Sequence, residues 1–176
     1  MKIVAFTGTA GSGKDTAAQA LEGYTNVKFA GGLKAMLEAL LRYQGCPEDM
    51  IFRYIEGDFK QRPCPYLCGR TMRHAMKTLG TEWGRRMVAQ NLWTSALENH
   101  IEHNEYNSIT ITDVRFHDEV DFVKSRGGKV YRIDRGFEGN DLHPSEIDII
   151  NLEVTAVIEN TGSTGALHEK VREILR

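Results

Sequence analysis

The feature that most constrains this chain is an apolar run that leads directly into a glycine-rich turn and a lysine. Residues 3–6 are apolar without alternation, which is typical of a strand buried on both faces of a parallel sheet. From Gly8 to Lys14 the spacing follows G-x-x-x-x-G-K, in which backbone N–H groups close around phosphate oxygens and the lysine reaches the β- and γ-phosphates. The sequence therefore predicts a nucleotide site formed by Gly8, Ala10, Gly11, Ser12, Gly13, Lys14, Asp15 and Thr16.

Asp15 stands where a Ser or Thr hydroxyl usually ligates Mg²⁺. A carboxylate beside a triphosphate would be repelled unless a cation lay between them, so we expect Asp15 to hold Mg²⁺ directly or through water. Thr16 is the alternative ligand. The loop thus predicts a nucleotide with Mg²⁺ and leaves the second substrate open.

Length and composition predict an ordinary single domain over residues 1–176. Apolar residues make up 41%, charged residues 26%, and the net charge is −2, without the basic excess expected of a duplex-binding protein. No apolar run approaches about 18 residues, and Met1 and Lys2 lead straight into the first strand, so we expect no membrane partner and a cytoplasmic location. Cys46, Cys64 and Cys68 are expected to be reduced thiols.

Hydrophobic periodicity and turn residues predict an α/β chain with five strands. The predicted strands cover 3–6, 27–30, 108–113, 129–135 and 155–159, and the predicted helices cover 16–23, 33–43, 70–88, 116–126 and 166–175. Residues 44–70 hold three prolines among clustered charges and are interpreted as an insertion that covers substrate. Lys34 follows the second strand, where it can meet an anionic substrate or remain a solvated helix residue.

The predicted helix 70–88 separates into two faces. Its core stripe is Met72, Met76, Leu79 and Trp83, and its adjacent cationic face is Arg73, Lys77, Gly80, Thr81 and Arg85. A glycine costs about 1 kcal/mol in a helix interior, so Gly80 suggests close approach of a phosphate or a base. A solvated charged face is the alternative for the cations, and Trp93 can either stack on a base or pack in the core.

Two further strand ends carry candidate site residues. Asp113 ends the third strand, where it can hold a magnesium-bound water or a substrate group, or cap the next helix, whose Asp118, Glu119 and Asp121 are expected to face water. Arg132 and Arg135 have opposite strand parity, so both serve one site only if the strand stops near Asp134. Residues 136–146 are interpreted as a short lid.

These motifs resemble the deoxynucleoside monophosphate kinases of bacteriophages, a P-loop kinase family that makes deoxynucleoside diphosphates. The resemblance covers most of the chain and is carried by residues 11–16, 29–34, 113–116 and 143–146, and most specifically by the string Leu-Gly-Thr-Glu-Trp-Gly-Arg at 79–85. It implies a three-layer P-loop fold with helices on both faces of a parallel sheet ordered 2-3-1-4-5.

The resemblance also implies roles for named residues. Leu33, Lys34, Arg73, Gly80, Thr81, Arg85 and Trp93 would line the deoxynucleotide site, and Arg132 and Arg135 would clamp phosphate, with Lys14 as the third catalytic cation. Lys77 and Asn91 depart from the family pattern, where a glutamine and an aspartate are expected, and this puts base preference in doubt.

The function expected from this resemblance is phosphoryl transfer from ATP to a deoxynucleoside 5′-monophosphate. A phosphate monoester has a second pKa of about 6, so the acceptor is already anionic near neutral pH and needs no general base. His143 is accordingly interpreted as a lid contact. The rivals are another small-molecule P-loop kinase, such as one acting on phosphomevalonate, and a nucleotide-binding regulator without turnover; a homodimer is kept open.

Overall fold

The structure is a computed structural model that describes residues 1–136, 149 and 151–175. The chain divides into two compact units, of which the first comprises Met1–Phe29 with Glu98–Arg176 and the second comprises Ala30–Leu97. The single-domain organisation stays a prediction. Within the described residues, no helix is both long enough and apolar enough to cross a membrane.

The first unit is built on a five-stranded parallel sheet. Its strands are β1 (Lys2–Thr7), β2 (Thr25–Val27), β3 (Ser108–Val114), β4 (Lys129–Asp134) and β5 (Ala156–Glu159). They are ordered β2-β3-β1-β4-β5, and every pairing is parallel. Because β1 is central, its residues from Ile3 to Thr7 are all buried, as their unbroken apolar pattern predicts. The predicted sheet and strand order are confirmed.

Helices cover both faces of this sheet. Helix α1 (Lys14–Gln19) and the last helix, α7 (Thr164–Ile174), pack on the face that carries Val4 and Phe6. Helix α6 (His117–Ser125) lies on the other face, where Val123 and Ile3 both lie close to Gly128. Helix α5 (Leu92–Asn104) leads from the second unit into β3.

The second unit is helical. It contains α2 (Gly31–Tyr43), α3 (Glu48–Ile55), a 3-10 turn (Pro65–Leu67), α4 (Met72–Lys77), a π-helix (Thr78–Val88) and the start of α5. Its core is formed by Leu33, Leu37, Leu41, Cys46, Ile51, Tyr54, Ile55, Cys64, Met72 and Trp93. The predicted insertion 44–70 contains α3 and the 3-10 turn, and its role in covering substrate stays a prediction.

The continuous helix predicted over residues 70–88 is wrong in its second half. The chain changes from α- to π-helix at Thr78, and a π-helix closes i→i+5 bonds, so residues beyond that point rotate out of the α-helical spacing. Met72 is buried as predicted, but Trp83 is 37% exposed and does not belong to the core. Trp93, with 5% exposure, takes the buried position instead.

Three local predictions also need correction. Helix α1 begins at Lys14 rather than residue 16, because the phosphate loop passes directly into it, and β2 ends at Val27. Glu119 does not face water: it is 4% exposed, and its Oε2 accepts hydrogen bonds from the backbone N–H groups of Arg115 and Phe116. Glu119 therefore caps the start of α6 by accepting from backbone N–H groups there. Its charge alone could not indicate that the side chain would be buried in this role.

Candidate active site

The turn after β1 has a backbone that requires glycine. Gly8, Gly11 and Gly13 have φ angles of 140°, 76° and 103°. A Cβ at Gly8 would lie 2.5 Å from the Ile133 carbonyl oxygen, and one at Gly13 would lie 2.5 Å from Asn160 Nδ2. A larger residue at Gly8 or Gly13 would therefore clash as well as strain the chain. This is the geometry of a loop whose backbone can surround phosphate oxygens.

Lys14 is folded back over this loop. Its Nζ donates to the carbonyl oxygens of Gly8 and Thr9, at 2.9 and 2.7 Å, and to Ser12 Oγ at 3.4 Å. The ammonium group thus lies within the turn that the sequence predicts for phosphate.

Asp15 belongs to a short polar network. Its Oδ1 accepts a hydrogen bond from Thr112 Oγ1 at 2.7 Å and lies 3.1 Å from Lys28 Nζ. Burial alone would raise the pKa of Asp15. The hydrogen bonds from Thr112 and Lys28, together with the charges of Lys28 and Lys14, lower it by more than burial raises it, so the pKa lies below the ordinary 3.8. Asp15 is therefore an anion near neutral pH.

The residues around Asp15 fit a magnesium ion. Mg²⁺ prefers oxygen ligands and is usually bound by one or two carboxylates together with phosphates and water. The Asp15 side chain is 64% exposed and already attracts the Lys28 ammonium group, so it can meet a solvated cation. Magnesium, and the choice between Asp15 and Thr16 as its ligand, stay predictions.

Arg135 lies just beyond the end of β4, as it must if it is to share a site with Arg132. Strand β4 ends at Asp134, and Arg135 Nη1 donates to the Gly11 carbonyl oxygen at 3.0 Å. Arg132 is half-buried and is paired in register with Thr7, the last residue of β1. One arginine thus lies on the phosphate loop and the other lies beside the strand that leads to it.

Asn160 is a loop contact that sequence reasoning missed. It is 8% exposed, and its Nδ2 donates to the Ser12 carbonyl oxygen at 2.8 Å. Its position directly after β5, in an otherwise polar turn, is the signal that could have indicated a contact across the sheet edge.

Asp113 makes a backbone contact within the first unit. Its Oδ1 accepts a hydrogen bond from the Phe29 N–H at 3.0 Å, and Phe29 follows β2. The carboxylate therefore joins the ends of two neighbouring strands. Its predicted contact with substrate or a magnesium-bound water stays a prediction.

In the second unit, Trp93 packs against the backbone at Gly80 and Gly84. Trp93 Nε1 donates to the Gly80 carbonyl oxygen at 2.7 Å. A Cβ at Gly84 would lie 2.6 Å from the indole of Trp93, whereas one at Gly80 would meet only Leu33 Cδ2 at 3.4 Å. Trp93 thus packs, which was one of its two predicted roles, and Gly84 is the glycine on which its packing depends.

The remaining predicted acceptor residues are more exposed than this core. Lys34 Nζ lies 2.6 Å from Glu56 Oε1, so a carboxylate already lies beside the cation predicted for substrate. Arg73 is exposed, Thr81 is half-buried, and Arg85 Nη1 donates to the Gln90 carbonyl oxygen at 3.3 Å. Their roles at a deoxynucleotide site stay predictions.

The predicted lid, with His143, lies outside the described residues apart from Gly136.

The sheet order, the glycine-rich loop and its lysine define a P-loop kinase. The fold resembles dephospho-CoA kinase from Campylobacter jejuni, with a TM-score of 0.52 at 15% identity over 99% of this chain and 96% of that one. Shikimate kinase from Aquifex aeolicus aligns with a TM-score of 0.49 at 17% identity over 99% of this chain and 94% of that one.

The family follows from sequence comparison. The model of the deoxynucleotide monophosphate kinase family matches residues 69–171. A provisionally assigned deoxynucleotide monophosphate kinase of Acanthamoeba polyphaga mimivirus is 30% identical over 169 residues, which cover 87% of this chain and 84% of the viral protein. The chain therefore belongs to the deoxynucleotide monophosphate kinase family, which supports a kinase, while its substrate class stays a prediction.

Proposed function

We propose that this protein transfers the γ-phosphoryl group of ATP to a deoxynucleoside 5′-monophosphate, which gives ADP and the deoxynucleoside diphosphate. The observation that carries the proposal is the phosphate loop itself, on which Lys14 and Arg135 both lie in a chain of this family. Two cations on one loop suit a group whose charge is spread over three equatorial oxygens during transfer.

The acceptor phosphate requires positioning rather than deprotonation. Its second pKa is about 6, so near neutral pH the attacking oxygen is already an anion. Lys14 and Arg135 would orient the donor phosphates and balance the charge of the moving group, and Arg132 would assist them. Lys34, Arg73 and Arg85 would hold the acceptor nucleotide.

Asp15, with Thr16 as the alternative, would hold the magnesium ion that accompanies ATP. When bound, this ion neutralises charge on the β- and γ-phosphate oxygens. Asp15 suits that role because its pKa is held below 3.8, so that the carboxylate is charged throughout the neutral range.

In the cell, this activity would supply deoxynucleotides for DNA synthesis in the cytoplasm. The family resemblance suggests a bacteriophage enzyme, for which this would be the host cytoplasm, whereas the matched relative belongs to a giant virus. A homodimer is a further part of the proposal and is tested by light scattering of the purified protein.

The decisive experiment is an ADP-release assay with ATP, Mg²⁺ and a panel of monophosphates. The panel holds the four deoxynucleotides, their ribose counterparts and phosphomevalonate. We expect turnover with at least one deoxynucleotide and lower kcat/KM for its ribose counterpart. Turnover with phosphomevalonate alone would identify a different small-molecule kinase. Tight ATP binding without product from any acceptor would identify a regulator, and either result would refute the proposal.

A further inference from the structure

The contact between Asp15 and Thr112 joins two elements that surround the phosphate loop. Asp15 directly follows Lys14 on α1, and Thr112 lies near the carboxyl end of β3, the strand beside β1. Thr112 is 2% exposed, so its hydroxyl is not a solvated group that happens to lie near a carboxylate. The 2.7 Å hydrogen bond joins Asp15 to the carboxyl end of β3.

This pair is the reverse of the usual arrangement. In P-loop NTPases the hydroxyl follows the lysine on the helix, and the carboxylate is an aspartate on a neighbouring strand. Here the carboxylate is on the helix and the hydroxyl is on the strand, and the two are hydrogen-bonded. The chemical groups are retained, but the elements that carry them are exchanged.

The neighbouring carboxylate on the same strand does not take this position. Asp113 has the opposite strand parity, and its Oδ1 accepts from the Phe29 N–H. Thr112, rather than the aspartate that follows it, therefore faces the residue after the lysine.

Lys28 supplies the second contact of Asp15. Its Nζ lies 3.1 Å from the same oxygen that accepts from Thr112, and its side chain is 28% exposed. A half-buried ammonium group at this distance favours the ionised carboxylate, and it competes with any other cation for that oxygen.

We propose that Asp15 and Thr112 form an exchanged carboxylate–hydroxyl pair that receives the metal of the bound nucleotide. Asp15 provides the metal-binding carboxylate, Thr112 is the positioning residue that orients it, and Lys28 balances its charge when no divalent ion is bound. The proposal rests on the nucleotide binding of the proposed function, and it adds Thr112 and Lys28, which lie outside the predicted metal site, to the predicted ligand Asp15.

The test measures metal binding rather than turnover. Mn²⁺ binding to the full-length protein with a non-hydrolysable ATP analogue is followed by water-proton relaxation. Loss of an outer partner of a metal ligand typically weakens metal binding about 10–100-fold, so we expect Thr112→Val to weaken Mn²⁺ binding at least about 10-fold. Thr112→Ser retains the hydroxyl and is expected to restore wild-type affinity.

Thr110→Val is the matched control. Thr110 lies on the same strand with 1% exposure, but its hydroxyl donates to Asn26 Oδ1 at 3.4 Å. We expect this variant to leave Mn²⁺ affinity unchanged. Equal losses in both valine variants would show a general effect on the strand and would overturn the proposal.

A double-variant cycle separates positioning from a structural role. If Thr112 acts through Asp15, Thr112→Val weakens Mn²⁺ binding in the wild-type background and has no further effect in Asp15→Asn. The same loss in both backgrounds would refute the pair.

Lys28→Met is expected to strengthen Mn²⁺ binding about fivefold, because a competing charge is removed. A weaker affinity would refute the assigned role of Lys28.

These outcomes are distinct from failure of the proposed function. Mn²⁺ binding needs no acceptor, so a protein that binds Mn²⁺ and the analogue through this pair but phosphorylates no deoxynucleotide would refute only the proposed activity. A protein that turns over deoxynucleotides while Thr112→Val retains full Mn²⁺ affinity would refute only the exchanged pair.

Discussion

The two units hold their candidate site residues in different ways. In the first unit, the phosphate loop is held by residues far along the chain: Asn160 donates to Ser12 across 148 positions, and Thr112 donates to Asp15 across 97. In the second unit, Trp93 reaches Gly80 across 13 positions, and Lys34 meets Glu56 across 22. The phosphate loop therefore requires the complete sheet, whereas the acceptor-side residues depend on how neighbouring helices wind and pack.

This difference predicts that changes in the first unit mainly alter chemistry and that changes in the second alter either packing or affinity. The loop side chains contact backbone atoms that the sheet already fixes. The second unit combines a buried core around Trp93 with exposed cations such as Arg73.

The largest effect is expected for Lys14→Ala. Three hydrogen bonds of the Lys14 ammonium group lie within its own turn, so we expect their loss to leave the sheet intact, while the donor phosphates lose their lysine. We expect kcat to fall at least about 10³-fold with little change in Tm. Lys129→Ala, at an exposed position in the same unit, is the control and should retain activity. A large fall in Tm would instead make Lys14 structural.

The next effect distinguishes the two glycines of the second unit. Gly84→Ala would place a Cβ 2.6 Å from the Trp93 indole, so we expect a loss of about 1–3 kcal/mol in the free energy of unfolding. Gly80→Ala meets one side chain at 3.4 Å and should change stability by less than about 1 kcal/mol. Chemical denaturation measures both values. Similar losses would contradict the packing described for Trp93.

A smaller effect is expected for Arg73→Ala, which addresses the acceptor side. A hydrogen bond to a charged group contributes about 1.5–3 kcal/mol, so KM for the deoxynucleotide should rise about 10-fold or more while KM for ATP changes little. Arg86→Ala removes an exposed arginine from the π-helix, outside the predicted acceptor set, and should leave both values near wild type. Equal increases in both KM values for Arg73→Ala would remove Arg73 from the acceptor site.

The smallest effect is a pH dependence from Asp15. Its pKa is lowered in the folded protein, so its stabilisation is present above pH 3.8 and is lost as the pH falls through the lower folded pKa. Because the side chain is 64% exposed, solvent screening limits this contribution to below about 1 kcal/mol. The difference in Tm between wild type and Asp15→Asn should therefore shrink between pH 6 and pH 3. A constant difference would mean that ionisation of Asp15 does not stabilise the fold.

The first strand, the phosphate loop and the sheet were predictable because local rules determine them. An unbroken apolar run marks a central parallel strand, and the glycine-lysine spacing marks the turn that follows it. The strand order came from the family resemblance. For Arg135 the sequence predicted only a condition: because of strand parity, it could share a site with Arg132 only if β4 stopped near Asp134. Strand β4 does end at Asp134, and the contact of Arg135 with Gly11 came from the structure.

Tertiary structure decided which side chains meet. No pattern in the sequence indicates that Thr112 faces Asp15 or that Asn160 donates to Ser12, because these contacts depend on strand register and sheet order. Nor could α-helical spacing reveal a π-helix, which exposed Trp83 and left Trp93 to fill the core. Local sequence thus determined the turn that can bind phosphate, while long-range packing determined the partners that orient it.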